Sequence, residues 1–212
     1  MEEYHKIVTV WKRDPSTNHK TLIEGEWALP EFAFLRHNDW VFTEKVDGTN
    51  IRVIPCGNDV RFAGKTDRAQ LYPGLLSALR DLFRPHTKAI AEMFGGTRAC
   101  LYGEGYGAKI QKGGGNYRQD QGFVLFDVRV DDWWLERPDV EDVAQKLGLD
   151  VVPIVGSGTL ESMVGKVRVG FSSVWGDFPA EGIVARPSVG LRDRAGHRII
   201  TKLKQKDFIR TP

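Results

Sequence analysis

Two cysteines, Cys56 and Cys100, are all the thiol chemistry in this chain of 212 residues. Two are too few for a disulfide framework and too isolated for a zinc cluster, which makes a reducing compartment the default. Histidine is also sparse. His5, His19, His37, His86 and His197 include no pair at metal-ligand spacing and read as surface or structural residues. No apolar run approaches the ~18 residues of a membrane span. The start Met1-Glu2-Glu3-Tyr4-His5 is no signal peptide. No internal repeat or linker-like stretch divides the chain. These absences exclude a helical membrane protein, a disulfide-stapled secreted scaffold and a histidine- or cysteine-built metal centre.

What is present is ordinary in bulk: 41% hydrophobic, 27% charged and 10% aromatic residues, enough for one good-sized core. The net charge of +2 hides an asymmetry. From Arg186 to Pro212 there are eight Lys or Arg and two acids, a local +6, so the preceding residues carry 22 bases and 26 acids, a net −4. A basic C-terminal tenth on a mildly acidic body suggests a phosphate-facing surface. Its apolar interleaving (Ile199, Ile200, Leu203, Phe208, Ile209) argues against a merely solvated tail.

Alternation and β-branched content predict strands at Ile7–Trp11, Val41–Lys45, Asn50–Ile54, Val60–Gly64 and Ala99–Gly103. Further strands are predicted at Gly122–Val130, Val151–Val155, Gly182–Arg186 and Arg198–Lys204. Helical periodicity appears at Pro73–Phe83, His86–Phe94, Arg137–Leu147 and Leu160–Val167, with Pro138 suited to a first turn and Gly148 to a stop. Strands that neighbour one another early, with helices inserted later, indicate one α+β domain over residues 1–212 with mostly antiparallel sheets. Gly103-Glu104-Gly105-Tyr106-Gly107 has the wrong spacing for a dinucleotide loop, and no helix follows it.

The most informative stretch is Lys45-Val46-Asp47-Gly48, a lysine at a strand end two residues before an Asp-Gly turn. Only a neutral amine attacks phosphorus, and a lysine reaches that state when it is desolvated or set beside other cations. Four other features can complete a nucleotide site around it. Glu104, read at a strand end between glycines that admit a ligand, can accept hydrogen bonds from a ribose. Phe123 or Phe126 can stack on a purine. Glu181, just before a buried-looking strand, suits a hard cation such as Mg²⁺. Lys202 and Lys204 share one strand face and can clamp phosphates.

In order and spacing these segments resemble the covalent nucleotidyltransferase superfamily of polynucleotide ligases and capping enzymes, and within it the phage-type RNA ligase 2 branch. Glu44-Lys45-Val46-Asp47-Gly48-Thr49-Asn50 corresponds to motif I and Tyr102-Gly103-Glu104 to motif III. Phe123–Val130 corresponds to motif IIIa, Glu181–Arg186 to motif IV and Ile200–Lys204 to motif V. Ile110-Gln111-Lys112 also resembles that branch. The likeness runs from about Val41 to Phe208, and the first forty residues match nothing in it.

The resemblance implies an ATP-grasp-like domain of two mostly antiparallel β-sheets flanked by helices, and an ATP-dependent RNA ligase that needs Mg²⁺ or Mn²⁺. Lys45 would attack the α-phosphate of ATP, expel pyrophosphate and carry AMP. Glu104 would hold the ribose and Phe126 the adenine. Glu181 would organise the metal with help from Asp47, and Lys202 and Lys204 would neutralise the α-phosphate. Glu44, Gly48 and a basic residue among Arg52, Lys65 and Arg68 would complete the nucleotide site. AMP would pass to an RNA 5′-phosphate, and a 3′-hydroxyl would displace it. The expected setting is a monomer acting in the cytoplasm, in a host cell if phage-encoded, on nicked or duplex RNA in repair, and away from membranes. The chain stops eight residues after Lys204, so the C-terminal OB or helical domain of larger relatives and motif VI are expected to be missing. The basic Arg186–Arg210 segment and the Lys109–Arg118 loop are candidates to replace their grip on RNA. The alternatives are a minimal DNA or mixed nick ligase, a capping guanylyltransferase and a catalytically silent RNA-binding module.

Overall fold

The structure is a computed structural model that describes residues 3–208. Met1 and Glu2 at the N-terminal start, and Ile209 and Arg210 of the basic segment, lie outside the described residues. In chain order the first strands are β1 (Val8–Thr9), β2 (Trp11–Arg13), β3 (Leu22–Trp27), β4 (Trp40–Glu44), β5 (Thr49–Cys56) and β6 (Asp59–Ala63). They continue as β7 (Ala99–Gly107), β8 (Gln121–Val130), β9 (Trp133–Trp134), β10 (Asp150–Val151), β11 (Ile154–Gly158), β12 (Gly182–Pro187) and β13 (Thr201–Lys204). The helices are α1 (Pro30–Phe34), α2 (Pro73–Phe83), α3 (Thr87–Phe94), α4 (Gly114–Tyr117), α5 (Arg137–Lys146) and α6 (Leu160–Val169). The chain forms two compact units, one of residues 3–5 with Asp47–Val152, the other of Lys6–Val46 with residues 153–208.

The first unit is built on a sheet in the order β10-β8-β7-β5-β6, with β9 added to β8. Among the described residues of this sheet, only the β10–β8 pair is parallel. Strand period places Ile51, Val53, Leu101, Phe123 and Leu125 on one face, and a register shift in β8 brings Val128 to the same face. These side chains form a core with Leu75, Leu79 and Phe83 of α2, Ile90 and Phe94 of α3, and Val140, Val143 and Ala144 of α5. The spacing Leu75, Leu79, Phe83 is a one-face helical stripe, and Pro73 opens α2 where a missing N–H costs nothing. Gly148 follows α5 with φ 59°, the left-handed stop that its position predicts.

The second unit carries the order β1-β13-β12-β4-β11, antiparallel except for β1 with β13, and the separate hairpin β2–β3. Trp40, Phe42, Ile183, Ala185 and Leu203 point into its core. There they meet Leu160, Met163, Val164 and Val167 of α6 and Phe32 of α1. Thr159 caps α6 by accepting from the Ser162 amide at 3.1 Å, worth about 1 kcal/mol.

The α+β architecture of two mostly antiparallel sheets is as the sequence indicates, but several boundaries differ. Val151–Val155 is not one strand. It divides at Val152-Pro153 into β10 and β11, which belong to different sheets, because Pro153 cannot donate to a ladder. Val152 donates to Leu125 in the first unit, while the Pro153 carbonyl accepts from Glu44 in the second. Strand β7 runs on to Gly107, so Glu104 sits within a strand and not at its end. Ile7–Trp11 is split between β1 and β2. Strand β3 and helix α1 were not expected. Leu22–Trp27 has no fully buried residue and hence no alternation to read, and α1 is only five residues long.

Candidate active site

In the second unit, β4 alternates between core and open face. Trp40 and Phe42 enter the core, so Thr43 and Lys45 project to the other side. The Lys45 amide donates to the Gly182 carbonyl at 2.9 Å, which sets the residue beside the start of β12. Its Nζ donates to Glu181 Oε2 at 2.6 Å, and Lys204 Nζ donates to Glu181 Oε1 at 2.5 Å. The three side chains are 18%, 13% and 21% exposed, so these contacts are shielded from bulk water. Leu203 points into the core, which puts Lys202 and Lys204 on the opposite face of β13. Lys45 and Lys204 converge on the one Glu181 carboxylate, with Lys202 on the same face of β13, a concentration of ammonium groups suited to an anion with several charges. Of the apolar residues interleaved in the basic segment, Leu203 is this strand's inward side and Ile199 and Phe208 pack against the same core, while Arg192, Arg194 and Lys206 are exposed.

Glu44 behaves differently from its neighbour. It is 1% exposed, and its oxygens accept from Ser173 Oγ at 2.6 Å and the Val174 amide at 2.9 Å. It ties the segment after Phe171 to β4 and so supports Lys45 from behind.

In the first unit, the turn after the lysine is held at both peptide groups. The Asp47 amide donates to Tyr117 Oη at 3.2 Å, and the Gly48 carbonyl accepts from Gln111 Nε2 at 3.1 Å. A Cβ on Gly48 would lie 2.4 Å from the Gly105 carbonyl and 2.7 Å from Glu104 Cγ, so only glycine allows the turn to approach Glu104. Glu104 is half-buried and pairs across β7 with Asn50 of β5. Asn50 Oδ1 is buried and has no hydrogen-bond partner, an acceptor suited to a ligand hydroxyl. Gly103 and Gly105, read above as openings for a ligand, face the other way. Their missing side chains make room for Phe123 and Leu75 of the core.

Of the two phenylalanines, Phe123 is 4% exposed and belongs to the core, where its ring lies 5.4 Å from that of Phe83. Phe126 is half-buried and occupies a β-bulge: Tyr102 pairs with Asp127 and Gly103 with Leu125, leaving Phe126 as the extra residue. With Leu125 and Val128 both in the core, the bulge turns Phe126 and Asp127 away from it. Tyr4 Oη donates to Asp127 Oδ2 at 2.5 Å, a contact no local pattern in the sequence announced. Nearby, burial pushes the Cys100 thiol up to about 11 and the Tyr102 phenol above its ordinary range, so both stay neutral.

The three basic candidates separate. Arg52 is fully buried, donating to the Gly64 carbonyl at 2.8 Å and to Asp67 at 2.7 Å, whereas Lys65 and Arg68 are exposed on the loop that Arg52 anchors. That guanidinium, first through its hydrogen bond, holds the Asp67 carboxyl below the usual carboxylate range. In the Lys109–Arg118 loop, Lys109 and Lys112 are exposed, while Arg118 is paired with Asp120 at 2.5 Å. Among the described residues, no three His, Cys, Asp or Glu side chains gather as a metal cage. The residues fit a hard cation held by one or two carboxylates with phosphate and water oxygens supplying the rest, which is the usual Mg²⁺ arrangement.

The fold is shared with solved RNA ligases. Naegleria gruberi RNA ligase with PPi matches at a TM-score of 0.64 and 16% identity, covering 98% of this chain and 59% of that one. A mutant of that ligase with ATP and Mn gives 0.65 and 16%, covering 96% and 56%. Another, with AMP and Mn, gives 0.63 and 15%, covering 98% and 59%. This chain thus spans less than two thirds of the length of those ligases. No curated protein matches it. The RNA ligase family matches residues 38–204, which include Lys45, Glu104, Glu181 and Lys204, and the chain therefore belongs to the RNA ligase family.

Proposed function

We propose that the protein is an ATP-dependent RNA ligase that works through a lysyl-AMP on Lys45. The observation that carries this reading is Glu181 with Lys45 on one oxygen and Lys204 on the other. In that state the Lys45 amine is an ammonium held by a carboxylate and cannot attack. Glu181, with help from Asp47, would hold a divalent cation, Mg²⁺ or Mn²⁺, which would supply charge neutralisation at the phosphates. Released from Glu181, Lys45 gives its proton to solvent, and Nζ bonds to the α-phosphorus as the bond to the β-phosphate oxygen breaks. Lys202 and Lys204 neutralise the charge that builds on the α-phosphate. Glu104 and Asn50 receive the ribose hydroxyls, and Phe126 stacks on the adenine. Arg52 acts through its loop, presenting Lys65 and Arg68 to phosphate. Glu44 and Gly48 act by placing Lys45 and the turn after it.

AMP then passes from Lys45 to an RNA 5′-phosphate, and a 3′-hydroxyl attacks that phosphate and expels AMP. Nicked or duplex RNA ends suit the basic faces, with Arg192, Arg194, Lys109 and Lys112 exposed for the backbone. A monomer in the cytoplasm is the setting we infer, in keeping with two free cysteines. Among the described residues no helix is long and apolar enough to cross a membrane. The test is the intact mass of the protein after incubation with Mg²⁺ and ATP or GTP, beside Lys45→Ala. An AMP adduct that requires Lys45 is expected. A GMP adduct would make the protein a capping-type enzyme, and no adduct on folded protein would make it a silent RNA-binding module.

A further inference from the structure

If Phe126 is the adenine stacker, as proposed above, something must hold its ring still. A β-bulge interrupts the ladder and leaves its extra residue without a cross-strand partner. Here the extra residue is Phe126 itself. Tyr4 contacts both residues of that bulge. Its ring centroid lies 5.1 Å from that of Phe126 at an interplanar angle of 74°, and its hydroxyl reaches the fully buried Asp127 carboxylate. Tyr4 is itself only 6% exposed. Its ring is fixed by Tyr102 at 5.2 Å, Trp134 at 5.6 Å and a stacked His5 at 4.5 Å. The segment therefore spends a buried aromatic and a strong hydrogen bond on the bulge, although the chain leaves this unit at Lys6.

We propose that Tyr4 is a positioning residue of the purine site, orienting Phe126 for the base without touching the reacting atoms. The inference rests on the stacking role of Phe126. It predicts a defect in ATP affinity with the chemical step intact, whereas a residue that only sealed the core would lower stability and leave the affinity of folded protein unchanged.

The experiment is the rate of Lys45-AMP formation across ATP concentrations, with thermal unfolding alongside, for Tyr4→Leu, Tyr4→Phe, Phe126→Ala and Tyr4→Leu/Phe126→Ala. The half-saturating ATP should rise about tenfold in Tyr4→Leu and about threefold in Tyr4→Phe, with the saturated rate within about twofold of the parent. The double variant should be no worse than Phe126→Ala, since Tyr4 acts through that ring. Parental half-saturation in the Tyr4 variants, a loss confined to the saturated rate, or additive effects in the double variant would overturn the inference. If Tyr4→Leu does not fold, Tyr4→Phe decides alone. Weakened ATP binding in Phe126→Ala with parental Tyr4 variants would remove only the role of Tyr4. Parental affinity in Phe126→Ala would remove the stacking role and this inference with it.

Discussion

Replacing Glu181 with glutamine keeps the shape of the side chain and removes its charge. Two ammonium contacts, at 2.6 and 2.5 Å and no more than 21% exposed, lose their ionic partner. Each charge-assisted hydrogen bond is worth about 1.5–3 kcal/mol, and the amide oxygen retains part of one. Folding stability should therefore fall by about 1–3 kcal/mol, lowering the melting temperature by roughly 2–10 °C for a chain of this size. Two effects on rate oppose each other. Lys45 no longer has to leave a carboxylate, which favours attack. On the role proposed for Glu181, the cation would lose its anchor, and with it would go stabilisation of the charge that develops on the phosphates. The second effect should win, because stabilisation of developing charge is usually the largest single contribution to such a step. Single-turnover Lys45-AMP formation should slow by about 10² or more and need more Mg²⁺ for half its maximal rate. A Glu181→Gln protein as fast as the parent, with unchanged Mg²⁺ dependence, would refute this and leave Glu181 as a mere restraint on the lysines.

Phe123→Ala should cost about 3–5 kcal/mol of stability, because a buried aromatic leaves a cavity against Phe83, and should spare ATP binding in the folded fraction. Phe126→Ala should do the reverse, and chemical denaturation with ATP titration separates them. The Cys100 thiol titrates near 9.0 when unfolded and at about 11 when folded, so the unfolded chain loses this proton first and stability declines as pH rises above 9. Cys100→Ala should flatten the fall in melting temperature between pH 9 and 10. An equally steep fall in that variant would assign it elsewhere.

How much of this was legible beforehand depended on how local the determinant is. Lys45, Glu181, Lys202 and Lys204 could be placed on strand ends and faces because period-two alternation is set by neighbours in the chain. The choice between Phe123 and Phe126 could not be made by periodicity, since a bulge breaks the very alternation that would have assigned them. Arg52 looked like Lys65 and Arg68 in the sequence. Only its pairing with Gly64 and Asp67 shows a buried anchor beside two exposed cations. Glu44 and Lys45, adjacent in the chain, face opposite sides, and only the hydrogen bonds from Ser173 and Val174 show that the Glu44 carboxylate is tied into the fold.

The sequence by itself determined the α+β class, the core stripes of the longer helices and the chemistry offered by each motif, all of them short-range properties of composition and spacing. Tertiary structure alone decided that Glu181 bridges Lys45 and Lys204, that Asn50 offers a free acceptor beside Glu104, and that Tyr4 reaches Asp127. Those contacts join residues as much as 136 positions apart, and such pairings arise from how strands are ordered in a sheet, which no local pattern encodes.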